Sequence, residues 1–178
     1  MENFTYFAAS DIHGNIEALD EIIRLAEKEK TDRLFIAGDL CPGDPAFALR
    51  LHNASFPYIA VRGNCDSLWD YRDSGLAVPK ESVYFEMPDG RHIGMTHGHS
   101  IFSPDDFPFP LEKGDIFIQG HSHVPSLFKD DRGIIHLNPG SPSRPRSMDG
   151  ATCAVIRKDE IGIHRIKDWK KIFSLSIH

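Results

Sequence analysis

Three aspartates, one asparagine and five histidines fall in five short runs of this chain: Asp11-Ile12-His13-Gly14, Gly38-Asp39, Gly63-Asn64-Cys65-Asp66, Thr96-His97-Gly98-His99 and Gly120-His121-Ser122-His123. Carboxylate and amide oxygens with imidazole nitrogens are the donors that hard and borderline divalent cations take. Two such ions roughly 3.5–4 Å apart, sharing a bridging ligand and a bridging hydroxide, hydrolyse phosphate esters. Asp11 and His13 are separated by one residue. In an extended segment they point to the same side and reach one ion, and His121 and His123 repeat that spacing. Gly14 then lets the backbone turn tightly. Asp39, directly after an apolar run, can offer one oxygen to each ion. Asn64 supplies a neutral oxygen and His97 another nitrogen. Each run has a plainer reading when taken singly. Asp-x-His and Gly-Asp are ordinary turns, Gly-Asn favours a left-handed turn, and His97 and His99 can cap a hairpin. Their order, and the apolar runs leading into most of them, favour a metal centre.

The elements that position these groups follow from periodicity. Residues 4–10 are apolar and β-prone and stop at Asp11. Ile16, Leu19, Ile22, Ile23 and Ala26 then repeat at helical spacing. Residues 33–37 form a second buried strand before Gly38-Asp39. Residues 45–53 predict a short helix with Asp44 as its N-cap and Pro45 at its first position. Residues 57–61 give a third strand before Asn64. This β-α-β-α-β alternation implies parallel strands with helical crossovers, and ligands at their carboxyl ends.

Beyond residue 80 the pattern is of hairpins. Residues 82–87 and 91–96 flank Pro88-Asp89-Gly90, 126–129 and 134–137 flank Asp130-Asp131-Arg132-Gly133, and 151–157 and 161–166 flank Lys158-Asp159-Glu160. Residues 115–119 form one more short strand. This half reads as mostly antiparallel, with residues 103–110 and 141–146 irregular. No repeat or linker divides the chain, so residues 1–178 are expected to form a single α/β domain of two sheets.

The 178 residues are 40% hydrophobic and 26% charged, ordinary for a globular domain. A formal net charge of −6 argues against a nucleic-acid or anionic-membrane surface. Three widely spaced cysteines, Cys41, Cys65 and Cys153, form neither a disulfide framework nor a CxxC site. They favour a reducing compartment, the cytoplasm. No signal segment or membrane span is expected. Apolar Trp169, Ile172, Phe173 and Leu175 are expected to pack on the core or on a second copy in a homo-oligomer.

The ordered set, with Asn138-Pro139-Gly140-Ser141, resembles the calcineurin-like metallophosphoesterase superfamily, and within it the small bacterial and archaeal phosphodiesterases of the YfcE type. The resemblance spans residues ~7 to ~142. It implies an αββα sandwich of two packed mixed sheets with helices outside. It also implies that Asp11, His13 and His123 hold one ion, that Asn64, His97 and His121 hold the second, and that Asp39 bridges them. Manganese is the ion the family favours, with Fe, Co, Ni or Zn as alternatives. Asp39, Asn64, Cys65, Asp66 and His99 are the candidate catalytic residues. Many relatives carry histidine where Cys65 stands, a different proton donor for the leaving group. Asp66 would orient a neighbour, and Arg62, Arg144 and Arg146 are candidate phosphate clamps. The reaction expected is hydrolysis of small organic phosphate diesters. A phosphomonoesterase or nucleotide phosphatase on the same centre is the alternative. A protein-binding scaffold, as in the retromer subunit of this fold, would be expected to have lost ligands.

Overall fold

The computed structural model describes residues 3–177. In chain order the elements are β1 (Thr5–Ala9), α1 (Ile16–Lys28), β2 (Arg33–Ile36), α2 (Pro45–Asn53), β3 (Tyr58–Ala60), α3 (Leu68–Ser74), β4 (Ser82–Glu86), β5 (His92–Thr96), β6 (Ile116–Ile118), β7 (Ser126–Lys129), β8 (Ile135–Asn138), β9 (Thr152–Arg157), β10 (Glu160–Arg165) and β11 (Lys170–Ser176). They form a six-stranded sheet, β11-β10-β9-β1-β2-β3, and a five-stranded sheet, β4-β5-β6-β8-β7. Both are mixed, as the expected two-sheet sandwich requires.

Period-two alternation on β1 explains the layering. Tyr6 and Ala8 turn toward the second sheet and meet Ile93, Met95, Ile116, Ile118, Ile135 and Leu137 in the core between the sheets. Phe7 and Ala9 turn the other way, into a core closed by Leu19, Ile22 and Leu25 of α1, Phe47 and Leu51 of α2, and Tyr71 of α3. All three helices therefore cover the six-stranded sheet. The far face of the five-stranded sheet is covered by non-helical chain instead, with Phe107 buried against Phe117 and Ile134, and Ile101 and Leu111 packed beside them.

The helix ends follow the sequence chemistry. Asn15 caps α1 by accepting the Ala18 N–H at 2.8 Å, and Asp44 caps α2 from Ala46 at 2.7 Å with Pro45 in the first turn. Helix α3 has no counterpart in the sequence reading. Its signals are the Ser67 cap and Gly75, which ends it at φ 79°. Strand β11 is also additional. Its pairing with β10 shifts register at Ile163/His164, and that bulge interrupts the alternation. Of the C-terminal apolar residues, Ile172 and Leu175 pack on the inter-sheet core and Trp169 on the helix side, while Phe173 remains 38% exposed.

The second half is less antiparallel than expected. The hairpins β4–β5, β7–β8 and β9–β10 are present, but β6 runs parallel to both β5 and β8. Together with β1, β2 and β3, which are parallel to one another, six strands then deliver their following loops to one edge of the sandwich.

Candidate metal centre

Each of these six strands ends in a motif. Asp11 and His13 follow β1, Asp39 follows β2, Asn64 follows β3, His97 follows β5, His121 and His123 follow β6, and Ser141 follows β8. The first two loops are laced together by main-chain bonds from Asp11 N–H to the Gly38 carbonyl (3.0 Å), from His13 to Asp39 (2.8 Å) and from Gly14 to Leu40 (2.9 Å).

The backbone here is not extended. Asp11, His13, Asp39, Cys41, His121 and His123 all have φ between 49° and 66°. They are six of the eight non-glycine residues with positive φ among the described residues. This overturns the extended reading of Asp11 and His13, whose side chains are brought together by left-handed turns. Such conformations cost on the order of 1 kcal/mol or more each and persist where surrounding bonds over-determine them. Asp and His tolerate the region better than most residues.

Two groups of donors result. In the first, His123 Nε2 lies 3.3 Å from Asp11 Oδ1 and 3.2 Å from His13 Nε2. In the second, Asn64 Oδ1 lies 3.1 Å from His97 Nε2 and 2.9 Å from His121 Nδ1. His121 and His123 thus part company, contrary to the reading that both reach one ion. Asp39 stands between the groups. Its Oδ2 is 3.7 Å from His13 Nε2 and 3.3 Å from His97 Nε2, while its Oδ1 accepts the Cys65 N–H at 2.8 Å. One oxygen faces both groups, where sequence reasoning assigned one oxygen to each.

The donor set fits divalent cations. Ligands about 2.1 Å from a common ion stand roughly 3.0–3.4 Å apart at octahedral or tetrahedral angles, and the close contacts above fall in or near that range. Asp11 is fully buried, and its Oδ1, aimed into the first group, has no hydrogen-bond partner. A buried carboxylate oxygen left unpaired is costly, and a cation satisfies it. Clusters able to hold an ion are Asp11 with His13 and His123, Asp11 with Asp39 and His97, and His13 with Asp39 and Cys65.

Electrostatics and the tautomers agree with that role. Burial raises the Asp11 carboxyl above its usual range, although Ser10 donates to its Oδ2 at 2.7 Å. Burial would raise Asp39 too, but hydrogen bonds from His97 and Cys65 outweigh it and hold the group well below the usual range. Desolvation lowers His13 and His121, which keeps them neutral. His97 is pulled down by burial, but its bonds to Asp39 and to the Ala37 carbonyl raise it above the ordinary value. His97 Nδ1 faces the Ala37 carbonyl at 2.8 Å and His123 Nδ1 faces the Arg144 carbonyl at 2.7 Å. A nitrogen facing a carbonyl carries the proton, so Nε2 of both rings points inward bare when the rings are neutral.

The remaining candidates divide. Asp66 turns its carboxylate to three main-chain donors, Gly63 (2.7 Å), Asp39 (2.9 Å) and Cys41 (2.8 Å), and so fixes the loops rather than facing the donors. Cys65 is exposed as a residue. Its thiol, which accepts from Asn64 Nδ2 at 3.3 Å, is pushed up to about 11 by desolvation and by the Asp39 carboxylate. His99 lies beside the second group, its ring 5.5 Å from that of His97, with a buried Nδ1 that has no partner. Arg62 is drawn away into an ion pair with Glu81 at 2.6 Å. Arg144 has an exposed side chain whose charge helps lower His13, and Arg146 is exposed.

Sequence reasoning missed the supports. Ser141 and Ser143 donate to the Asp11 carbonyl at 2.8 and 3.0 Å, and Asn138 donates to the Gly120 carbonyl at 2.8 Å. The run Asn138-Pro139-Gly140-Ser141 was the available signal for two of these. The Arg144 carbonyl carries none, because any residue supplies one.

A sequence profile for the Calcineurin-like phosphoesterase superfamily domain matches residues 5–160. The chain is 32% identical to the phosphodiesterase YfcE of Escherichia coli K12 over 96% of both chains. It is 31% identical to a probable metallophosphoesterase, YsnB, of Bacillus subtilis, covering 83% of this chain and 80% of that one. The solved structure of the E. coli phosphoesterase YfcE superposes with a TM-score of 0.86 at 27% identity, covering 98% of this chain and all of the other. Vacuolar protein sorting 29 of Cryptosporidium parvum, at 19% identity and a TM-score of 0.67, shares the fold alone.

Proposed function

Because the chain belongs to the calcineurin-like phosphoesterase superfamily, and so is a metal-dependent phosphoric ester hydrolase, we propose that it is a phosphodiesterase of small organic phosphate diesters. In this reading Asp11, His13 and His123 would hold one divalent ion, Asn64, His97 and His121 would hold a second, and Asp39, which stands between the two groups, would serve both. Manganese is the favoured metal. The free thiols of Cys41, Cys65 and Cys153 suit a cytoplasmic setting. The observation that carries the reading is the Asp39 oxygen between two donor groups, 3.7 Å from His13 and 3.3 Å from His97.

When bound, such ions supply an ionised water as nucleophile and offset the charge that develops on phosphate. The chain does the rest. Main-chain carbonyls of Ala37 and Arg144 hold His97 and His123 with Nε2 inward. Asp66 fixes the peptide groups of Asp39 and Gly63, so the donors are set before substrate arrives. Against a pair of divalent ions the two aspartates would leave the site net positive, which suits a phosphodiester monoanion. Arg144, on the rim near His13, adds positive charge on the substrate side. The Cys65 thiol keeps its proton at neutral pH and can give it to a leaving alkoxide, whereas an aryl oxide needs little such help.

The test is metal content and turnover in Asp39→Asn and His121→Ala. Both are expected to lose bound metal and to fall on the order of 100-fold or more in kcat/KM. Near-normal turnover with wild-type metal stoichiometry would contradict the ligand assignment. If the protein hydrolyses monoesters far faster than diesters, a phosphomonoesterase or nucleotide phosphatase on the same centre replaces the diester reading.

A further inference from the structure

The five-stranded sheet ends in β4, and the outer edge of that strand is open. β4 pairs with β5 alone. Across the hairpin the Met87 N–H donates to the Arg91 carbonyl at 2.7 Å, and bonded and non-bonded pairs alternate along an antiparallel ladder. Val83, Phe85 and Met87 therefore spend their main-chain groups on β5, while Ser82, Tyr84 and Glu86 turn theirs outward. No other described segment takes those outward groups up. The remaining edges are defended. β3 is three residues long, β7 packs against β11, and β11 opens with Lys170 and Lys171 and pairs with β10 through a bulge. β4 contains no proline, lysine or bulge.

The surface beside this edge is apolar at its middle and charged at its ends. A groove of about 490 Å³ runs along the strand, between Ser82, Val83 and Tyr84 on one side and Pro108 and Phe109 on the other. Tyr84 is 37% exposed and Phe109 47%. The Tyr84 ring stacks on both His92 and Phe109, with centroids 4.7 and 5.1 Å apart, so it is already ordered before any partner arrives. Of the charges along this stretch, Glu81 and Asp89 are paired with Arg62 and Arg91. Lys80 before the strand and Glu86 at its end are exposed and unpaired among the described residues.

We propose that β4 pairs antiparallel with β4 of a second copy of this chain, about a two-fold axis at Tyr84, so that the two five-stranded sheets become one continuous sheet. Such a contact is isologous and closes on itself. In this register Tyr84 faces Tyr84, Ser82 faces Glu86 of the other copy, and every outward N–H and C=O of the three residues finds a partner. Charge complementarity selects a second copy as the occupant. The strand is positive before its start and negative at its end, and only an antiparallel arrangement brings Lys80 of each copy diagonal to Glu86 of the other, within reach of a long side chain. The proposal is independent of the catalytic reading.

The test is sedimentation velocity of the full chain over a series of protein concentrations. Wild type is expected to show a monomer–dimer equilibrium. Tyr84→Lys sets two like charges opposite each other on the axis, and it is expected to raise the dimer Kd about tenfold or more. Lys80→Glu and Glu86→Lys each set like charges together at both ends of the contact, and each is expected to raise the Kd about tenfold. The double variant Lys80→Glu/Glu86→Lys exchanges the two charges, and it is expected to return to within about twofold of wild type. All three positions are exposed, and the double variant carries both substitutions, so its recovery separates a lost contact from a damaged fold. A wild type that is monomeric throughout would overturn the proposal. So would a dimer that none of the single variants weakens, or a double variant no tighter than the single ones.

Discussion

Every imidazole at the centre has one nitrogen to offer, and what faces the other nitrogen decides which. For His97 and His123 the decision is made by the carbonyls of Ala37 and Arg144, which no substitution of those two side chains would alter directly. His97 also faces the Asp39 carboxylate, and it holds a proton to higher pH than the ordinary 6.5 despite its burial. In metal-free protein that ion pair therefore stabilises the fold below pH 6.5, and its contribution is lost as pH rises through the raised value. A cation takes the place of the proton. Binding of Mn near pH 6.5 is expected to release protons and to weaken as the pH falls. Calorimetry in two buffers of different ionisation enthalpy measures this, and heats independent of buffer would contradict it. Asp66 acts at the same scale but on the backbone. In Asp66→Ala three main-chain donors lose their acceptor, at about 1–3 kcal/mol for each one left buried. A loss of roughly 3 kcal/mol or more is expected in urea unfolding, and an unchanged midpoint would refute the role.

At the scale of elements, the loops that follow the parallel strands approach so closely that glycine is required. A Cβ on Gly63 would overlap Asp39 Oδ1 and stand 2.5 Å from the Asp39 main-chain nitrogen, which is held by Asp66. Gly63→Ala is expected to cost about 1–3 kcal/mol and to lower kcat/KM on the order of 100-fold by displacing the Asp39 carboxylate. Gly75, at the end of α3, has nothing within 4 Å but lies at φ 79°. Gly75→Ala is expected to cost about 1 kcal/mol with activity unchanged. Thermal melts and kinetics on both variants separate the two effects. Equal activity in both would show that the close approach at Gly63 carries no function.

The same contrast explains what was legible in the sequence. Strands that end in Asp11, Asp39 and Asn64, and the Asp44-Pro45 start of α2, are local signals and are read correctly. The left-handed turns at Asp11 and His13 are not local. They depend on main-chain bonds to Gly38, Asp39 and Leu40, some 27 residues away. The parallel placement of β6 between β5 and β8 likewise depends on partners that short apolar runs do not specify. Helix α3 was missed because seven residues are too few for a periodic pattern to stand out.

At the scale of the molecule, the two sheets share one core, and helices cover only the outer face of the six-stranded sheet. The other outer face is left to non-helical chain. Among the described residues no helix is long and apolar enough to cross a membrane. The net charge of −6 gives long polyanions no general attraction, which is consistent with the small phosphate-ester substrates proposed above. A positive centre for them exists only when cations offset Asp11 and Asp39. The most direct measurement is hydrolysis of bis-p-nitrophenyl phosphate by chelator-stripped protein, with and without added Mn. The account predicts turnover that is absent after stripping and returns with the metal. Turnover that survives complete stripping, or folded protein inactive with every divalent ion tried, would contradict it.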